Sequence, residues 1–213
     1  IPNMRNLKRT LSLALASVML VGMMSVGASA VNASDFTDAD EIVNKDAVST
    51  MTALGIINGK EDGSYFDPTG TVTRAEMAKM LCVAINGGVD PVLGVKDTPT
   101  FTDIKGHWAE SYIEYCAANG IIAGRGNNKF DPTGTVSATE AAKMLLGVLG
   151  YNAEKSGLVG NDWAINTNVL ANQNGLYKNL SNLNANTLLT RDNAAQMIYN
   201  ALDANMVELN AAG

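Results

Sequence analysis

The strongest constraint on this 213-residue chain is that it repeats itself. Phe36-Thr37-Asp38 returns as Phe101-Thr102-Asp103, and Gly55-Ile56-Ile57 with Gly59 returns as Gly120-Ile121-Ile122 with Gly124. Phe66-Asp67-Pro68-Thr69-Gly70-Thr71-Val72 returns as Phe130-Asp131-Pro132-Thr133-Gly134-Thr135-Val136, after a one-residue slip where a loop deletion is tolerated. A weaker third copy pairs Asp162-Trp163-Ala164 with His107-Trp108-Ala109, Asn174-Gly175-Leu176 with Asn119-Gly120-Ile121, and Thr190-Arg191 with Thr73-Arg74. That copy lacks both the Phe-x-Asp opening and the Phe-Asp-Pro loop. The copies span about 34–88, 99–150 and 160–205. Units this short cannot each bury a core, so they are expected to share one.

Within a copy the pattern is helix, loop, helix. Trp108, Ala109, Tyr112, Ile113, Cys116 and Ala117 form one helical stripe, which Gly120 stops. A second helix runs from about Ala75 to Ile85, with counterparts at 138–149 and 191–202. It is apolar around most of its circumference, which is expected of a central helix. The predicted fold is all-α: three helix-loop-helix repeats in a pseudo-threefold bundle, second helices on the axis and first helices outside. Stretches 87–100 and 150–161 read as linkers.

Residues 1–30 are set aside as a secretory signal peptide, leaving 31–213 as the mature domain. Arg5, Lys8 and Arg9 precede an apolar run from Leu11 to Val26, and Ala28-Ser29-Ala30 fits a cleavage site. The run is interrupted by Ser12, Ser17, Gly22 and Ser25, so no retained membrane span is expected. Three of the 15 basic residues and none of the 21 acidic ones lie there, leaving 12 against 21, a formal charge of −9. So acidic a chain excludes nucleic acid as a partner and requires any anionic ligand to be held by a few placed cations. With one histidine and two separated cysteines, Cys82 and Cys116, there is no material for a zinc site or a triad, and no cofactor is expected. The cysteines read as small buried hydrophobes, with a disulfide as the alternative in an exported protein.

The tetrad Thr73-Arg74-Ala75-Glu76 opens the second helix as a capping box, Thr at N-cap and Glu at N3. Arg74 then falls at N1, against the helix dipole, which invites a functional reason. Free amides and a guanidinium at one helix start suit a carboxylate or phosphate, while a solvated or ion-paired arginine is the structural alternative. Copy two reads Ser137-Ala138-Thr139-Glu140, keeping the box without the arginine. Copy three reads Thr190-Arg191-Asp192-Asn193, keeping the arginine and losing the box.

Together these motifs resemble the S-layer homology family over roughly 34–205. The resemblance implies a domain that anchors surface proteins by binding secondary cell-wall polysaccharide attached to peptidoglycan, often pyruvylated, in grooves between repeats. It makes Arg74, Arg191, Glu76 and Glu140 candidate ligand residues, with Asp38 and Asp103 as groove contacts or loop-holding acids. Lys60 and Arg125 follow glycines at equivalent places, where backbone can approach a sugar or simply turn. Trp108 and Trp163 are either sugar platforms or, on the apolar stripe, core residues. S-layer self-association is a further partner the resemblance allows.

The run Asn58-Gly59-Lys60-Glu61-Asp62-Gly63 fails as a calcium loop, because a lysine occupies a ligand position and no glutamate stands at the twelfth. Carboxylates such as Glu76 and Asp67 fit a glycosidase pair poorly, since they sit inside repeating structural motifs. The expectation is a non-enzymatic anchor; the alternatives are a structural or adhesive surface protein, or the N-terminal anchor of a longer S-layer protein or wall-active enzyme.

Overall fold

In the computed structural model, residues 31–180, 183 and 186–208 are described. The signal peptide expected at 1–30 lies outside them. Six α-helices occur among the described residues: α1 Lys45–Ala53, α2 Arg74–Ile85, α3 Glu110–Ala118, α4 Ala138–Val148, α5 Trp163–Gln173 and α6 Arg191–Leu202. Short 3-10 turns at Ala33–Asp35 and Ala39–Glu41 precede them. No named strand is present among these residues, and the all-α expectation holds. No described helix is long and apolar enough to cross a membrane.

The helices start and stop for local reasons. Thr73, Ser137 and Thr190 are extended N-caps whose hydroxyls accept from the backbone N–H three residues on. Glu76 and Glu140 complete capping boxes, as the tetrads predict. The outer helices end alike: Gly55, Gly120 and Gly175 take φ near +70°. The amide after each, on Ile56, Ile121 or Leu176, donates 2.9 Å back to Met51, Cys116 or Ala171. Only glycine adopts that turn without strain.

Packing follows an order the linear pattern does not suggest. Each second helix lies chiefly on the first helix of the following copy: α2 on α3, α4 on α5, and α6 back on α1. In turn α4 touches both α2 and α6. Just before the second helices, three extended segments close a ring of backbone hydrogen bonds. Val72 N–H donates to Leu189 O at 2.9 Å, Val136 N–H to Val72 O at 2.9 Å, and Leu189 N–H to Val136 O at 2.8 Å. All three side chains are buried. The nearly all-round burial of α2, from Ala75 to Ile85, follows from this position.

Two local expectations are corrected. Helix α3 begins at Glu110, so Trp108 precedes it and is 56% exposed rather than part of a buried stripe. The stretch expected to be a linker at 150–161 folds onto the bundle: Tyr151 N–H donates to Leu146 O at 3.0 Å, and Leu158 is buried.

Candidate functional site

Arg74 starts α2 in copy one, yet its side chain crosses into copy two. Nε donates to Phe130 O and Nη2 to Ala123 O, each at 2.7 Å, and the guanidinium lies 4.3 Å from the Phe130 ring centre. Nη1 is 3.6 Å from Glu140 Oε1. With the residue 3% exposed, burial pulls this guanidinium down to about 10, against the opposing pull of Glu140. The expectation of free amides beside an open guanidinium at this helix start is not met: the Arg74 and Ala75 N–H groups donate to Gly134 O at 2.8 Å and Pro132 O at 3.0 Å, and the guanidinium itself is buried. The dipole penalty at N1 is offset by one buried and one part-buried carbonyl and an aromatic face in the neighbouring copy.

Above Arg74 opens a groove of about 540 Å³, lined by Arg74, the backbone of 120–124, Arg125, Glu140, Lys143 and Trp163, with Tyr151 and Leu158 from the folded-back segment. Arg125 grips Glu140 through Nη2, 2.7 Å from Oε1 and 2.9 Å from Oε2, and reaches Asp131 through Nη1 at 2.6 Å. Burial lowers the Arg125 pKa, but these two carboxylates outweigh it and hold the group above its ordinary value. Lys143, one turn beyond Glu140, places its amine 5.1 Å from the Trp163 ring centre and forms none of the ion pairs found among the described residues. Burial and then the charge of Arg74 hold its pKa below the usual lysine range. Three cations thus line a groove with one lining carboxylate, in a chain of formal charge −6. Such a groove can take an anion, with an aromatic face beside it for an apolar ring surface.

Gly147 shapes the floor. A Cβ at this mid-helix position would stand 3.0 Å from Ile121 Cα and 3.2 Å from Gly120 O. Its presence in α4, about 1 kcal/mol unfavourable to an exposed helix, lets the helix meet the 120–121 backbone closely.

The same construction recurs in copy one with parts from copy three. Arg191 is 5% exposed and donates 2.8 Å to Phe66 O and 2.8 Å to Asn58 O, its guanidinium 5.0 Å from the Phe66 ring centre. Here, however, the cations are spoken for. Lys60 pairs with Asp67, and Lys79, the counterpart of Lys143, pairs with Asp90 at 3.2 Å and faces the Tyr112 ring. The corresponding place in copy three has Ala138 for the arginine and Asn193 for the glutamate.

The structure therefore brings Arg74, Arg125, Glu140 and Trp163 into one groove and leaves the other candidates elsewhere. Glu76 caps its own helix, accepting from Thr73 N–H at 2.7 Å. Asp103 accepts from Phe130 N–H and Asp131 N–H, each at 2.8 Å, and Asp38 does the same for Phe66 and Asp67 at 2.9 and 2.7 Å. Both aspartates hold the Phe-Asp-Pro loops. Trp108 stands near Tyr112, its ring centre 6.4 Å away, and is not among the residues that line this groove. Lys143 was missed by the sequence reading, although the signal existed: a cation recurs at the same place as Lys79 on two helices that are otherwise apolar beyond their first turn.

Two stretches, 35–78 and 100–142, match the family described as S-layer homology domain. The chain is 28% identical over 207 residues to the "Cell surface protein" of Thermoanaerobacter kivui, covering 96% of this chain and 26% of that protein. It is 28% identical over 148 residues to the "S-layer protein" of Bacillus licheniformis, covering 70% and 16% respectively. Against the "Exoglucanase XynX" of Acetivibrio thermocellus it is 28% identical over 156 residues, covering 68% and 14%. The chain spans about a quarter or less of the length of these relatives. With both matched stretches contributing residues to the groove, and with S-layer and cell-surface proteins among its relatives, this is a chain of the bacterial cell surface that carries S-layer homology domains at 35–78 and 100–142.

Proposed function

We propose that this chain anchors a surface protein non-covalently to the cell wall, by holding an acidic wall polysaccharide in the groove of copy two. The observation that carries this reading is Lys143, an amine without an ion pair among the described residues, set over Trp163 beside the buried Arg74 and the exposed Arg125. A carboxylate such as a pyruvyl ketal would lie between Lys143 and Arg125, accepting charge-assisted hydrogen bonds, with the sugar face on Trp163. The backbone of 120–124 would supply the remaining contacts. On this reading 34–88, 99–150 and 160–205 are the three repeats, and their grooves are unequal. Copy two's groove has both the crossing arginine and a free lysine, copy one's has its lysines paired, and copy three's lacks arginine and glutamate. Relatives that include S-layer proteins and an exoglucanase support the same inference at the level of the protein: an anchoring part whose remaining sequence differs.

Lys143→Ala tests the site because the side chain is half-buried and makes no ion pair among the described residues, so its loss should leave the melting temperature near that of the parent. Binding to purified cell walls should weaken by about tenfold or more, as expected for one charge-assisted contact of about 1.5–3 kcal/mol. Walls stripped of their secondary polymer should retain neither protein. Undiminished binding of Lys143→Ala to intact walls would remove the groove of copy two from the mechanism.

A further inference from the structure

The sequence contains two cysteines, and the groove uses neither. Cys82 is on α2 and Cys116 on α3, helices of successive copies that pack on each other. Both are fully buried, and their sulfurs lie 3.3 Å apart. Cys82 Sγ also faces Tyr112 O at 3.5 Å, and Cys116 Sγ faces Ala78 O at 3.6 Å. Each carbonyl is four residues before the opposite cysteine, where it already accepts that helix's own hydrogen bond. Removing the two thiol hydrogens would orphan no buried group.

The other two copies show what ordinary packing requires at this point. The corresponding positions hold Leu146 and Ala171 where α4 meets α5, and Tyr199 and Met51 where α6 meets α1. A large and a small apolar side chain, or an aromatic and a thioether, fill the site without a thiol. In the first interface alone both positions are cysteine, and these account for every cysteine in the sequence.

We propose that Cys82 and Cys116 are joined by a disulfide in the exported protein, a covalent staple between copies one and two. The bond forms by exchange with a small-molecule disulfide. One cysteine thiolate attacks it, releasing one small thiol and leaving a mixed disulfide; the second thiolate then attacks the protein sulfur and releases the other. Two protein S–H bonds are lost, one small disulfide is reduced to two thiols, and one protein disulfide is made. The sulfurs need to approach by about 1.2 Å to reach bonding distance, within the reach of side-chain rotation. A cell-surface location keeps the product away from the cytosolic reducing pool. Both sulfurs are fully buried, and contact with Cys82 and burial push the Cys116 thiol well above its ordinary range, so exchange requires the α2–α3 interface to be open.

The test uses the full chain, unfolded under reduction and refolded in a mixture of oxidised and reduced glutathione. It is then denatured and treated with iodoacetamide. The expected product carries no alkylated cysteine, weighs two hydrogens less than the reduced chain, and yields a peptide linking 82 to 116 on digestion without reductant. Protein refolded without oxidant should melt on the order of 5–10 °C lower. A Cys82→Ser, Cys116→Ser variant should melt at one temperature with or without oxidant, which separates the staple from packing. Alkylation of both cysteines in the refolded protein, bridges only between chains, or equal melting of oxidised and reduced forms would each overturn the proposal.

Discussion

Arg74 shows how misleading a local reading of one side chain can be. Its position at N1 opposes the helix dipole, a cost of a few tenths to about 1 kcal/mol that suggests a residue kept for a ligand. The cost is offset elsewhere: two carbonyls and an aromatic face in copy two hold the guanidinium. Arg74→Ala should therefore destabilise the protein by about 2–4 kcal/mol, measured by urea unfolding, because it strands buried acceptors and empties space. Arg74→Lys should recover little, since an ammonium cannot reproduce the planar fork. A melting temperature unchanged in both variants would contradict the crossing contact. Loss of wall binding in Arg74→Ala alone would not distinguish lost contact from lost fold, whereas Lys143→Ala does.

At the scale of the element, the Phe-Asp-Pro loops carry the arginines' partners and are themselves held by single carboxylates. Asp67 and Asp131 adopt φ of +61°, unusual for a residue with a side chain, and the double acceptance by Asp38 or Asp103 fixes the adjoining amides. Burial pushes the Asp103 pKa up, but the amides of Phe130 and Asp131 outweigh it, and the net shift is downward. A carboxyl whose folded pKa lies below its unfolded value of 3.8 contributes stability that is complete above that value and lost as pH falls through the folded pKa. Asp103→Asn should cost about 1–3 kcal/mol at neutral pH, since the amide presents one acceptor oxygen where two are used. Its unfolding free energy should also fall less steeply than the parent's below pH 4. Parallel acid profiles for the two proteins would show that Asp103 does not hold the loop through its charge.

On the scale of the whole molecule, the copies are interleaved rather than strung together. Helix α2 packs on copy two and α1 on copy three, and the Val72–Leu189–Val136 ring requires one extended segment from each copy. Residues 34–88 excised alone would contain the sequences of both helices and lose the principal packing partner of each. Such a fragment should give little helical circular dichroism and no cooperative melt, while residues 31–208 should melt in one transition. A monomeric, sharply melting 34–88 fragment would mean that the interleaving is not what stabilises a copy.

Much of this was legible in the sequence because it depends on neighbours within a few residues. Capping boxes at Thr73 and Ser137, a stop glycine at Gly120 with equivalents at Gly55 and Gly175, and an apolar helix from Ala75 to Ile85 are local choices. Their spacing in three copies was enough for an all-α fold and for the family resemblance. Trp108 escaped because a stripe of apolar residues gives no sign of where the first helical turn begins. The groove escaped for a different reason. The tetrad of copy two seemed to have lost its arginine, yet Glu140 faces Arg74 from copy one, while Arg191 of copy three serves Phe66 and Asn58 of copy one. Periodicity identifies which residues are equivalent; it does not say that a side chain satisfies its hydrogen bonds in the next copy. That is decided when second helices pack on the first helices of their successors, because only then do a buried guanidinium and the carbonyls it needs come within 3 Å.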